Sequence, residues 1–225
     1  MIYIFTALYC EAEILIKHFD LKKVPECTCF QQFCNENADL RLTICGTGEI
    51  AAAAAVASVC TEYKPQKADF LLNIGICAGV QKREGIFLAH KLVEQATGKT
   101  FYPDLLYRHD FEEESLMTGR KPWMREETVT CEVNHYEMDR CGMNDCKKND
   151  CRMNRCGMND CKKNDCKIND CEMNDCEASL YDMEASAIYQ SGSYFFGPHQ
   201  MVFLKIISDN GDIFHIDLKQ HTRKL

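Results

Sequence analysis

Three acidic residues follow or interrupt apolar runs that ought to be buried. Glu11 comes just after "IYIFTAL" (2–8). Glu184 lies in "LYDMEASAIYQSG" (180–192), which reads as a short helix opening near Asp182 and closing at Gly192. On that helix Glu184 shares a stripe with Ala187, Ile188 and Ser191, so a carboxylate falls on the inward face. Asp209 follows "MVFLKII" (201–207), a run that delivers Ser208 and Asp209 to the carboxyl end of a strand, where open α/β sheets bind ligands. Buried carboxylates either complete ion pairs or exchange protons with a bound molecule. Taken singly, Glu184 reads as an ion-pair partner, Asp209 in "DNG" as a turn residue and Glu11 as a solvated loop acid.

Positioning such acids requires a sheet. Four near-continuous apolar runs, 2–8, "LRLTIC" (40–45), "ADFLLNIGI" (68–76) and 201–207, read as strands covered on both faces. They alternate with helical stretches, which points to an α/β class. "EIAAAAAVASVCTEY" (49–63) contains neither glycine nor proline and is the clearest helix, opening directly after "GTG". From about 98 to 136 the pattern is weak, and loops with at most one helix are expected.

A second chemical feature is a cysteine at every fifth position from Cys141 to Cys176, which accounts for eight of the sixteen cysteines. "RCGMNDCKKNDCRMN" (140–154) is followed by "RCGMNDCKKNDCKIN" (155–169), the mark of a tandem duplication. Five-residue spacing spirals around an α-helix without forming a seam, so the alternatives are a four-sided β-solenoid or loose chain. Structural zinc sites favour tighter pairs such as C-x₂-C, and every gap here is C-x₄-C, so no metal is expected. "GTGEIA" resembles part of a dinucleotide fingerprint, but no acid closes a second strand about 20 residues on, so no nucleotide cofactor is expected either.

A net charge of −8 and a pI near 5.4 offer no general field for nucleic acid. The apolar amino terminus lacks a basic leader, and no apolar run approaches the roughly 20 residues of a membrane span, so a cytoplasmic location and no membrane partner are expected.

Four segments in order, "TALYCEAEIL", "CGTGEIAAAAAVAS", "LLNIGICAGV" and "DMEASA" with its sequel "ISDNG", resemble the purine nucleoside phosphorylase and nucleosidase superfamily. The likeness is closest to its 5′-methylthioadenosine/S-adenosylhomocysteine nucleosidase branch and covers about residues 1–105 and 180–211. It implies a central mixed sheet flanked by helices, with residues 1–136 and 179–225 forming one α/β domain and 137–178 a Cys-rich insertion.

The resemblance also implies a purine nucleoside as the small-molecule partner, no cofactor and a homodimer. Asp209 would protonate the purine at N7, with Ser208 orienting it. Glu184 would accept hydrogen bonds from the ribose hydroxyls, and Met183 would pack against the sugar. The "GICAG" loop, with Ile76, Cys77 and Ala78, would bring backbone against base and ribose. Glu11, or Glu13 two residues on, would activate water, the choice depending on a one-residue gap. Phosphorolysis remains the alternative activity, and an inactive relative acting as a binding module is a third reading. Two features of the family are not recognisable in the sequence. One is a further strand and helix with a base-stacking aromatic in the interval 108–140, and the other is a long closing helix after the last strand.

Overall fold

A computed structural model describes residues 1–25, 29–37, 39–80, 84–124 and 178–209. The repeat at 137–178, but for its last residue, and the segment after Asp209 with His215 lie outside the described residues.

Strand β1 (Ile2–Thr6) leads into helix α1 (Tyr9–His18), and β2 (Lys22–Lys23), β3 (Gln31–Cys34) and β4 (Leu40–Ile44) follow. Helix α2 (Glu49–Tyr63) precedes the long strand β5 (Phe70–Gly79), then β6 (Ile86–Glu94), β7 (Thr100–Phe101) and β8 (Glu112–Thr118). Beyond the undescribed stretch come β9 (Leu180–Asp182), α3 (Ala185–Gly192), a single 3₁₀ turn at Pro198–Gln200, and β10 (Met201–Asp209).

The ten strands join one mixed sheet. β5 pairs in parallel with β1 over Phe70–Asn73 and antiparallel with β9 through Ala78 and Gly79. β5 also runs parallel to β10 from Leu71 to Ala78. Because β10 pairs with β6, β6 with β8 and β8 with β9, the strands β5, β10, β6, β8 and β9 close into a ring. β1, β4, β3 and β2 extend the sheet away from it.

The alternation of β1 explains the two layers. Tyr3 and Phe5 join Ala52, Ala55, Val56 and Val59 of α2 and Ala185 and Ile188 of α3 in one core. Ile4 points the other way, toward Ala12 and Leu15 of α1 with Leu42 and Ile74. The alanines of α2 carry little bulk, which lets that helix lie close against α3. No helix among the described residues is long and apolar enough to cross a membrane.

The structure agrees with the expected mixed sheet and with the helix at 49–63, and it corrects the sequence reading at three places. The strand expected at 68–76 continues through Gly79, so "GICAG" is strand, its backbone groups taken up by β10 and β9. The helix expected from 180 opens only at Ala185, since Leu180 and Tyr181 pair with β5 while the Asp182 carboxylate accepts the Ala185 N–H at 3.0 Å and caps the helix. Glu184 is therefore the residue before the helix and belongs to no helical stripe.

The stretch from 98 holds strands β7 and β8 and no helix among its described residues. "EEESLMT" hides its strand character behind three glutamates, and only its last three residues are buried. Pairing with β6 on one side and β9 on the other overrides that weak local pattern. Leu116 of β8 is completely buried. Replacing it by alanine should lower unfolding stability by about 2–5 kcal/mol in a urea titration. A change within about 0.5 kcal/mol, as at a surface position, would take the segment out of the sheet.

Candidate active site

Glu11, Glu184 and Asp209 arrive from three distant parts of the chain at one cavity of about 240 Å³ beside the carboxyl ends of β1, β5 and β10. Ile76, Cys77, Ala78, Met183 and Ser208 line the same cavity, so all eight residues named from the sequence are brought together. Glu13 is not among them. It stands 44% exposed on the outer face of α1, bonded to Lys17, whereas Glu11 is 2% exposed, so the structure separates two acids the sequence could not.

Each acid is held by backbone. Glu11 stands in the first turn of α1, where its Oε2 accepts the Leu8 N–H at 2.8 Å while Oε1 accepts the Ile76 N–H of β5 at 2.9 Å. This approach needs Gly75, because a Cβ there would lie 2.9 Å from Glu11 Oε1. Glu184 Oε1 accepts the Gly48 N–H at 2.8 Å. Gly48 has φ of 93°, a left-handed conformation that favours glycine, so "GTG" shapes a turn that holds a carboxylate. At the end of β10 the register shifts: Ile207 opposes Cys77 and Asp209 opposes Ala78, leaving Ser208 as the extra residue of a bulge. Ser208 Oγ lies 2.8 Å from Asp209 Oδ2 and 3.3 Å from the Cys77 carbonyl, and the shorter contact favours donation to Asp209.

Lys205 is the residue that sequence reasoning missed. It is 1% exposed in the middle of β10, and its Nζ sits 2.8 Å from Asp182 Oδ2. Burial alone would lower its pKa, but the charges of Asp182 and Glu184 outweigh that and hold it raised, so Lys205 is a cation. Asp182 is satisfied on its other side by the Thr118 hydroxyl at 2.7 Å, and Thr118 Oγ1 in turn accepts the Ser186 N–H at 3.0 Å. A lysine inside the apolar run "MVFLKII" was the available signal, since a lysine in a covered strand requires a buried partner.

Burial shifts the acids. Glu184 is pushed up to about 7 by burial and then by the Asp182 charge, against Lys205 and the Gly48 N–H. Glu11 is also raised by burial, against its two backbone donors and Lys205. Burial pushes the Cys77 thiol well up, and Cys45, which faces Glu184 and Glu11, rises to about 12, so neither is a ready nucleophile. The cavity is completed by Ala7, Leu8, Thr47, Tyr181, Asp182 and a flat apolar wall, Pro122 and Trp123, in the interval where the sequence revealed no aromatic with a role.

The fold, a closed strand ring flanked by helices, is similar to that of solved nucleosidases and a futalosine hydrolase. A Helicobacter pylori MTAN mutant with 5′-methylthioadenosine in the active site superposes with a TM-score of 0.68 at 13% identity, covering 99% of this chain and 93% of that one. The 5′-methylthioadenosine/S-adenosylhomocysteine nucleosidase of Neisseria meningitidis in complex with methylthio-immucillin-A gives 0.65 at 17% identity, covering 99% and 94%. The futalosine hydrolase of Helicobacter pylori gives 0.65 at 12%, covering 99% and 92%. No protein-family model and no curated protein matches the sequence.

Two outcomes follow from the charge cluster. Lys205→Met leaves Asp182 buried without its cation and should cost about 3–5 kcal/mol of stability in urea, whereas a neutral result would show the pair to be replaceable. Glu184 binds its proton more tightly folded than unfolded, so its contribution is fully present below its ordinary value of 4.5 and is lost as pH rises through about 7. Glu184→Gln should therefore gain stability relative to the parent at about pH 8 and not at about pH 4. Equal effects at both values would place the Glu184 titration elsewhere.

Proposed function

We propose that this protein hydrolyses the N-glycosidic bond of a purine nucleoside of the methylthioadenosine or S-adenosylhomocysteine type and releases the free base. One observation carries the reading. Glu11, Asp182, Glu184 and Asp209 all line the cavity, and no lysine or arginine does among its described lining residues. Cleaving this bond builds positive charge on the ribose, which carboxylates stabilise. A phosphate dianion would meet the same carboxylates without a cation to receive it, so water is the better attacking group and hydrolysis is favoured over phosphorolysis.

In this reading Glu11, fixed by two backbone donors, accepts a proton from water as the water oxygen bonds to C1′. Asp209 gives a proton to the purine at N7 as the C1′–N9 bond breaks and its electron pair passes to the base. Solvent then returns the proton from Glu11 to Asp209. Above about pH 7, where it gives up its proton, Glu184 accepts hydrogen bonds from the ribose hydroxyls and offsets the sugar's charge. Met183 packs against the sugar, Ser208 orients Asp209, and the Ile76–Ala78 backbone borders base and ribose. Trp123 offers the base a flat face for stacking. The nucleosidases similar in fold, one of them with 5′-methylthioadenosine in its active site, support a purine nucleoside of this type.

Chromatographic assay of base release from methylthioadenosine, S-adenosylhomocysteine, adenosine and inosine, with and without phosphate, tests the reading. Release independent of phosphate is expected. Asp209→Asn should lose about 10²–10⁴-fold in kcat and Glu184→Gln about 10²–10³-fold, with the fold intact. Strict phosphate dependence would make the activity phosphorolysis. Unimpaired variants would displace the assigned roles.

A further inference from the structure

The wall formed by Pro122 and Trp123 is carried by a segment whose described residues, 119–124, hold no helix or strand, so something must fix where it stands. The loop leaves β8 at Thr118, and its first residue, Gly119, donates its N–H to the Asp182 carbonyl at 3.0 Å. Two residues further on, the Lys121 carbonyl lies 3.0 Å from the phenol oxygen of Tyr181. That oxygen also lies 2.9 Å from Gln95 Oε1, so its single proton is shared between the Lys121 carbonyl and the Gln95 amide oxygen, while the Gln95 backbone N–H is bonded to the Thr118 carbonyl at 2.9 Å. Tyr181 is buried, fixed by pairing to Ala78 of β5 and Met117 of β8, and its side chain borders the cavity. The phenol therefore reaches from a strand locked on both sides to the backbone of the loop.

Gly119 makes this reach possible. A Cβ built there would lie 1.7 Å from the Tyr181 oxygen and 2.4 Å from Gln95 Oε1, so any side chain at 119 would expel the phenol from its place. The glycine, the phenol and Gln95 form a lock on the loop nearest Trp123, beside the Gly119 N–H bond to the Asp182 carbonyl and the Arg120–Glu49 ion pair at 3.4 Å that hold its start.

We propose that Tyr181 is a positioning residue that, through the Lys121 carbonyl and the space at Gly119, holds Trp123 as the wall of the cavity and so sets the affinity for the base of the ligand. The choice of a purine as that ligand rests on the nucleosidase reading; the lock itself does not. The acids are untouched by it, so Tyr181 should govern how tightly the base is held and not the rate of bond cleavage.

Trp123 is the chain's only tryptophan, so its emission reports this wall alone. Tyr181→Phe removes one oxygen and keeps the ring. In the free protein the variant's emission should shift to the red and acrylamide should quench it more readily, and Gly119→Ala should do the same by crowding. Adenine, titrated against the same emission, should bind about tenfold more weakly to Tyr181→Phe, the worth of one hydrogen bond. KM should rise by the same factor with kcat unchanged. Made in a Trp123→Ala background, Tyr181→Phe should raise KM no further.

Trp123 emission and quenching that match the parent in both variants would overturn the lock, whatever the protein's activity. A full tenfold rise in KM without Trp123 present would overturn the positioning role, because the phenol would then touch the ligand itself. A fall in kcat at constant KM would assign Tyr181 to the support of neighbouring Asp182 instead. A parent protein that neither binds adenine nor releases any base would refute the purine reading, and the quenching comparison would still decide the lock.

Discussion

Burying several carboxylates together is the constraint on which this molecule is built. Glu11, Asp182 and Glu184 all lie nearly out of solvent, and Lys205 is the cation inside their cluster. One ammonium cannot neutralise three acids, so the remainder of the charge is met in two other ways. Backbone N–H groups of Leu8, Ile76, Gly48 and Ala185 donate to the carboxylates, and Glu184 holds a proton up to about neutral pH. Leu8, Gly48 and Ala185 lie at helix starts and Ile76 within β5 between its pairings to β1 and β9, which ties the electrostatics of the site to the placement of secondary structure.

Closure of the strand ring is what makes that placement possible. β5 is long enough to accept β1 along its first part and β9 along its last, so residues far apart in sequence meet at its carboxyl end. β10 brings Lys205 into the interior and, through the bulge at Ser208, turns Asp209 toward the cavity. Gly48 and Gly75 serve the same end by different means, one adopting a conformation other residues avoid and the other clearing room for a carboxylate.

What could be read from the sequence follows from which forces act locally. The alanine run of α2 and the apolar runs of β1, β4 and β10 declare themselves, because propensity and burial agree there. β8 did not, since its glutamates obscure a strand that exists only by pairing on both sides. Glu11, Glu184 and Asp209 are named from the motifs around them and share one cavity, yet the helical stripe expected for Glu184 is the wrong geometry for a residue that precedes the helix. Lys205 and Tyr181 are not singled out by the sequence because their contacts are with partners many residues away, Lys205 with Asp182 and Tyr181 with Gln95 and Lys121.

The same topology accounts for why a tandem repeat could accumulate where it did. β8 and β9 are parallel neighbours, and parallel neighbours require a crossover connection of a dozen or more residues, so a long segment between Thr118 and Leu180 is obligatory. Its two ends are fixed without reference to its length. Gly119 bonds to the Asp182 carbonyl as the chain leaves, and Ser179 donates to the Ser115 carbonyl and accepts from Val80 as it returns. With the anchors set, the pairing of β8 with β9 does not depend on how many residues join them. A duplicated fifteen-residue unit between these anchors leaves the strands of the site in register, whereas the same insertion within β5 or β10 would separate the acids from the cation that holds them.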